Sequence, residues 1–393
     1  MVKKLLVIGW IITIASLFLY SFTQVDLGLT LSRISIWQGA QKFFQHIGYF
    51  DRPLSAFLYS LILVLLFSFY YLFLRLARKG QVSKKSVIVL SLVTGTILLF
   101  AYNAFSYDLF NYIFDAKIVT YYHKNPYEFK ALDFPSDPML SFMHWTHRTL
   151  PYGPSWLGFT LPLSYLGFQF FLPTFFLFKA LAAVSYIGSV FLVSRISKIT
   201  KKEDQVFNTV FFALNPLIII EGLVSGHNDI LVVFLSLLSI YLILSKKYVR
   251  SFFFLILSAG VKYSTLFLLP VYLLFFFKRF KKNENLNYDT FFLLSLIFMI
   301  IPVILASFRT NFQPWYLLNI IPFACFLGKK YYISIPIFII SFFSLLQYLP
   351  FLYLGNWDKP VPQILFWLTL TSVALSVLFV VSLTLKARLN IKD

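Results

Sequence analysis

The chain has 393 residues, 59% of them hydrophobic and 12% charged, and a net charge of +19. Apolar runs of about 20 residues, the length that crosses a hydrocarbon layer ~30 Å thick, follow one another along nearly all of it. That pattern excludes a soluble globular domain and leaves an all-α, polytopic membrane protein, since helices satisfy their own backbone polar groups in lipid.

In chain order, hydropathy predicts spans at 5–23, 54–74, 86–105, 173–194, 206–223, 230–245, 289–307, 314–328, 331–349 and 362–385. With two irregular stretches, this gives about 10–12 membrane segments in a single domain over 1–393. The first run lacks the small-residue cleavage pattern of a signal peptide and reads as a retained helix.

The third run opens into the longest polar loop, 106–153, which reads as a helical loop. Asp108 and Asp115 are seven residues apart, two helical turns, so both carboxylates fall on one helix face. Such a pair suits deprotonating a hydroxyl, or holding a divalent cation, magnesium or manganese, if a metal takes part. The plainer alternative is a helix cap and a solvated loop acid. His144, His147 and Arg148 follow in the same loop. Zinc would need a further close ligand, so His147 and Arg148 read as sugar or phosphate contacts or as loop packing. Residues 154–172 must precede an odd number of crossings, which makes them a partial or re-entrant helix.

Gly226-His227-Asn228-Asp229 stands directly against the apolar run 230–245, with Glu221 just before it. A helix cap explains one of these side chains. Three of them beside hydrocarbon exceed what capping needs, because intramembrane ionisable groups are costly and usually functional. Residues 251–277 are too few for two full crossings yet carry basic clusters at both ends. A hairpin of short helices broken at Gly260-Val261-Lys262 satisfies both facts, with Lys262 near its apex. Lys262 and Arg309 are the cations best placed to meet a phosphate near the membrane, against the alternative of snorkelling or a private salt bridge. Trp315 and Tyr316 read as interfacial aromatics or as partners for a sugar. Cys325, the single cysteine, lies in an apolar run and forms no intramolecular disulfide.

The basic residues decide orientation rather than nucleic-acid binding. Of the 34 Lys and Arg, 23 fall in segments after alternate spans, from Lys3 and Lys4 to the 386–392 cluster, and nine in the intervening segments. The rich side is expected to be cytoplasmic, with the N-terminus there, in a plasma membrane. The other face then receives 106–153, the 226–229 corner, 309–316 and 350–361. No internal repeat is visible, which counts against a transporter built from two related halves.

Five stretches, "SYDLFNYIFDAKIVTYYHKNPY", "PYGPSW", "NPLIIIEGLVSGHNDILVV", "AGVKYSTLFLLP" and "NFQPWYLLNIIPFA", occur in an order that resembles the GT-C superfamily of integral-membrane glycosyltransferases. The branch they are most similar to is that of bacterial polyprenol-phosphate-mannose-dependent α-1,6-mannosyltransferase-like proteins. Ala116 and His123-Lys124 depart from it, standing where glycines are expected, and nothing beyond residue 330 is recognised. The resemblance implies a GT-C-like helical domain with Asp108 as catalytic base and the donor's lipid along the helices. It adds the motif residues Asn125, Tyr152 and Gln313 to His227, Asn228, Asp229, Lys262, Arg309, Trp315, Tyr316, His147 and Arg148 as expected substrate contacts, with Asp115 beside the base.

The expected function is transfer of a hexose, mannose above others, from a polyprenyl-phosphate donor to a glycan or glycolipid acceptor on the extracytoplasmic face, with inversion. Membrane lipids are expected partners and nucleic acid is not. A lipid-linked saccharide flippase and a polymerase of lipid-linked oligosaccharides are the competing readings.

Overall fold

A computed structural model describes residues 2–281 and 287–388. Lys282 and Lys392, which belong to two of the basic clusters, lie outside the described residues. Among the described residues there is no strand, so the architecture is all-α.

The helices are α1 (Val2–Ser21), α2 (Ser35–Gln45), α3 (Arg52–Arg78), α4 (Lys84–Leu99), α5 (Asp108–Thr120), α6 (Pro154–Leu166), α7 (Phe171–Thr200), α8 (Gln205–Ala213) and α9 (Pro216–Ile219). They continue as α10 (Asp229–Leu244), α11 (Tyr248–Val261), α12 (Leu269–Lys281), α13 (Tyr288–Thr310), α14 (Ile321–Ala324), α15 (Tyr331–Leu346), α16 (Leu349–Leu354) and α17 (Val361–Arg388). Six segments among the described residues are long and apolar enough to cross a membrane: 4–24, 52–78, 171–200, 288–310, 331–354 and 361–386. A seventh candidate, 202–224, is bent by 50°. The protein is an integral membrane protein.

Local chemistry explains several helix ends. Asp51 accepts the Leu54 N–H at 3.3 Å to open α3, Pro53 follows in its first turn, and Arg75 and Arg78 close it at the negative end of its dipole. Asn287 does the same for α13 through the Asp289 N–H at 2.9 Å, and Arg309 lies in its last turn.

Four expected crossings differ in detail. The run 230–245 is the 16-residue α10, shorter than the six long segments. The run 86–105 is helical only to Leu99, after which the backbone turns irregular to reach α5. The run 206–223 is broken at Leu214-Asn215, where Pro216 cannot continue the hydrogen-bond ladder and Asn215 caps the new start through the Leu217 N–H at 2.9 Å. The run 314–328 is not one crossing helix; it is a 3-10 turn, the four-residue α14 and a second 3-10 turn. Its apolar composition reflects burial inside the bundle, where Leu318, Ile321, Ala324 and Cys325 are fully enclosed. Composition cannot separate a buried irregular segment from a lipid-facing helix. The amphipathic α2, between the first two spans, was not among the expected elements. In the loop 106–153 only α5 is a full helix, with short 3-10 turns at 131–133 and 138–141.

The two irregular stretches have the expected form. α6 has 13 residues, about 20 Å at 1.5 Å per residue, too short to cross. The 251–277 stretch is α11, a break at Lys262, a 3-10 turn and α12. A hydroxyl clasp joins this hairpin to α10. Ser239 and Ser251 exchange bonds to each other's carbonyls at 2.7 and 2.8 Å, and the Tyr272 hydroxyl donates to Ser239 Oγ at 3.0 Å.

Two apolar cores organise the molecule. The larger binds α1, α3, α4, α7, α8 and α10 together around Trp10, Tyr59, Tyr70 and Tyr186. The second lies under the long loop, where Phe110, Tyr112 and Phe114 of α5 pack with Trp156, Phe175 and Phe178. It seats α5 on the bundle and brings its N-terminal end to the 226–229 corner.

Candidate active site

Asp108 is the first residue of α5, and its side chain keeps about one fifth of its surface exposed. It faces His227, whose Nδ1 is 3.5 Å from Asp108 Oδ2. On the other side, His227 Nε2 lies 3.3 Å from Glu221 Oε2, and both of these side chains are fully buried. The distances are in ion-pair range, but both imidazole nitrogens lie off the line of a hydrogen bond. Trp315 stacks on the imidazole with ring centroids 4.3 Å apart and planes at 22°.

The chain reaches this corner by an unusual route. Residues 220–224 form a π-turn, closed by the Ser225 N–H to the Ile220 carbonyl at 2.8 Å. Gly226 follows at φ +67°, a left-handed conformation open to glycine, and turns His227 back so that its N–H reaches the Glu221 carbonyl at 3.1 Å. The carbonyls of Leu223 and Val224 accept from the buried Lys179 ammonium of α7, at 2.9 Å for Val224. The corner is therefore built, and it is more than a cap. Asn228 precedes α10 without making a capping bond.

Burial pulls the His227 pKa down, but Asp108 and Glu221 outweigh it and hold the imidazole up at about 9. Asp115, two turns along α5, is buried. Burial first, and the nearby Asp108 charge second, push its carboxyl well above the usual carboxylate range. The two acids of the loop thus sit in different environments. Tyr152 is raised by burial above all, with Asp108 adding to it, and its hydroxyl lies 3.3 Å from that of Tyr112.

Lys262, at the hairpin break, spends its charge on Asp229, with Nζ 2.9 and 2.8 Å from the two carboxylate oxygens. Asn319 also donates to Asp229, at 2.7 Å, and Ser264 fixes that amide by donating to its oxygen at 3.1 Å. The ammonium lies 5.9 Å from the Tyr316 ring centroid. The "PYGPSW" stretch docks here too. The Gly153 N–H meets the Val261 carbonyl at 3.3 Å, and a Cβ on Gly153 would run into the Gly260 carbonyl.

Asp108, His227, Asp229, Lys262, Tyr152, Trp315 and Tyr316 are thus drawn towards one another. Asn228 belongs to the same corner and Asp115 lies two turns along α5, whereas the side chains of the other five candidates take no part in these contacts. Asn125 shapes its own loop, accepting from the Tyr127 N–H at 3.1 Å and donating to Glu128 at 2.9 Å. His147 is exposed, and Arg148 lies over the Trp145 ring at 4.6 Å. Arg309 is exposed at the end of α13, and Gln313 opens the turn that carries Trp315. Sequence reasoning noted Glu221 beside the corner without giving it a site role, and passed over Asn319 and Tyr348. An acid inside an apolar run was a readable sign for Glu221, whereas Asn319 and Tyr348 gave none, being ordinary residues in apolar surroundings.

Six of the twelve buried side-chain polar atoms without a hydrogen bond among the described residues fall in 221–228: Glu221 Oε2, Ser225 Oγ, both His227 nitrogens and both Asn228 amide atoms. Each such atom costs about 1–3 kcal/mol when left unpaired, and a native corner keeps them where something else pairs them. Hydroxyl-rich ligands supply both donors and acceptors. A resident cation fits less well. No group of three or more His, Cys, Asp or Glu able to hold a metal occurs among the described residues. Asp108 and Asp115 offer two carboxyl groups, one of which favours its proton, against the six oxygens that magnesium takes.

A family model described as alpha-(1->6)-mannopyranosyltransferase, N-terminal domain, matches residues 11–278. No curated protein and no solved structure matches the chain.

Proposed function

Since the chain belongs to the alpha-(1->6)-mannopyranosyltransferase family, and is therefore a glycosyltransferase, we propose that it moves mannose from a polyprenyl phosphate to a hydroxyl of a glycan or glycolipid acceptor. The reaction takes place on the extracytoplasmic face, with inversion at the anomeric carbon. The observation that carries this reading is the partly exposed Asp108 carboxylate, held beside a corner of unpaired polar groups at the edge of apolar helices. A lipid-linked sugar is half apolar and half polar, and such a boundary suits it.

In this reading Asp108 is the catalytic residue. It takes the proton of the acceptor hydroxyl as that oxygen forms its bond to the anomeric carbon, and the bond to the phosphate oxygen breaks. The departing phosphate needs charge stabilisation rather than a proton, and Lys262 supplies it, while Arg309, exposed at the end of α13, is left to meet phosphate from outside the corner. Phosphate binding has to compete with Asp229 for the Lys262 ammonium, which that carboxylate neutralises. Asn228 and Ser225 pair with sugar hydroxyls, and Trp315 and Tyr316 offer their faces to the ring. Asp115, holding its proton, acts as a neutral hydrogen-bond donor and not as a second base.

The test is release of free polyprenyl phosphate from a panel of polyprenyl-phosphate hexoses and pentoses by purified protein in lipid discs, with membrane extract as acceptor. The reading expects release from the mannose donor by wild type and loss of release in a folded Asp108→Asn protein. Absence of release from every donor removes the reading and favours a flippase or a polymerase.

A further inference from the structure

The mechanism above leaves the buried Glu221 side chain unused. Glu221 is fully enclosed in the apolar bundle, where an ionisable side chain is expensive. Its two oxygens have separate partners. Oε1 accepts from the Tyr348 hydroxyl at 2.8 Å, and Oε2 lies 3.3 Å from His227 Nε2. His227 in turn spans the gap to Asp108, and Trp315 covers its ring face. Tyr348, Glu221, His227 and Asp108 thus form one continuous chain, sealed at the tyrosine end and open to water only at Asp108.

We infer that Glu221 is a positioning residue for the transfer: through His227 it fixes the orientation of the Asp108 carboxylate at the acceptor hydroxyl. The inference rests on the proposed function and deepens it by naming what supports the base. The π-turn at 220–224 supports it, because an uninterrupted helix would carry Glu221 and His227 on different faces, six residues apart. So does the arrangement of orphaned atoms. Glu221 Oε2 and both imidazole nitrogens are buried and not yet aligned, as contacts that tighten only when substrate closes the site are. Nearby charges do not replace this role. Lys179 is committed to the Leu223 and Val224 carbonyls, and Lys262 lies on Asp229, which also accepts from Asn319.

A merely structural acid would affect the amount of folded protein and leave turnover per folded molecule unchanged. The experiment therefore compares Glu221→Gln, Glu221→Asp and Tyr348→Phe with wild type and Asp108→Asn in lipid discs, reading kcat, donor KM and thermal midpoint. Glu221→Gln keeps the shape and the Tyr348 contact but removes the charge that faces His227. The expected result is a kcat lowered by about 10- to 100-fold, part of the 10²–10⁴ that a positioned base contributes, with donor KM changed less than about twofold. Glu221→Asp recovers about tenfold of that loss, and Tyr348→Phe loses only a few-fold. The inference is overturned if Glu221→Gln turns over at the wild-type rate, if its loss follows the folded fraction alone, or if Glu221→Asp is no better than Glu221→Gln. An active Glu221→Gln beside an inactive Asp108→Asn sinks only this inference. An active Asp108→Asn, or a wild type that releases no donor phosphate, removes the function reading and takes this inference with it.

Discussion

Asp108 and Asp115 share a helix and a residue type, and their surroundings separate them. Asp108 is partly wet and faces an imidazole, while Asp115 is buried. Asp108→Asn is therefore expected to lower turnover by about 10²–10⁴-fold, whereas Asp115→Asn, which mimics the protonated acid, changes it less than about threefold. Because burial opposes ionisation of Asp115, its asparagine variant also melts no lower than wild type above neutral pH. Comparable losses in the two variants would show that Asp115 also works as a charged group. His227 makes a different pH statement. Its folded pKa of about 9 lies above the ordinary 6.5, so its ion pairs stabilise the fold fully below pH 6.5, and that contribution is lost as pH rises through 9. Thermal midpoints measured across this window should fall in wild type and fall less in His227→Gln.

At the scale of elements, the site is an agreement between two segments far apart in sequence. The end of the long loop lies against the break between α11 and α12, where Gly153 faces the Gly260 carbonyl and a Cβ on Gly260 would meet Ser155. Gly153→Ala and Gly260→Ala should each cost about 1–3 kcal/mol through the forced separation and lower turnover, because Lys262 and Tyr152 shift with the backbone. Gly39→Ala in α2 is the control. Nothing lies within 4 Å of a Cβ there, and removing a helical glycine should stabilise by roughly 0.5–1 kcal/mol. Equal thermal midpoints for all three variants would mean that the two segments are not in fixed register.

For the whole molecule, the basic clusters predict a cytoplasmic N-terminus and an outward-facing long loop, which labelling can test. Cys325 is buried, so Cys325→Ser gives a background for single-cysteine labelling. A cysteine in place of the exposed Trp145 should react with an impermeant maleimide from outside intact cells, and one in place of Lys246 only after permeabilisation. The reverse pattern would invert the topology and move the proposed chemistry to the cytoplasm.

By itself the sequence determined that this chain is an all-α membrane protein. Water and lipid act on composition directly, and a run of 20 apolar residues has one favourable place. Expensive residues inside such runs marked the corner 226–229 and the break at Lys262 for the same reason. Family resemblance linked five separate stretches, and the family match over 11–278 covers the first four of them. Only the tertiary structure decided which polar groups meet. The helix that carries Asp108 begins beside His227 because an aromatic core seats it there. Glu221 reaches that imidazole because a π-turn and a left-handed glycine redirect the chain. Lys262 finds Asp229, and Tyr348 finds Glu221 across 127 residues. Those pairings depend on packing between distant segments, which local patterns of hydropathy do not record. The same holds for 314–328, whose apolar character is that of a lipid-facing span and whose surroundings are protein.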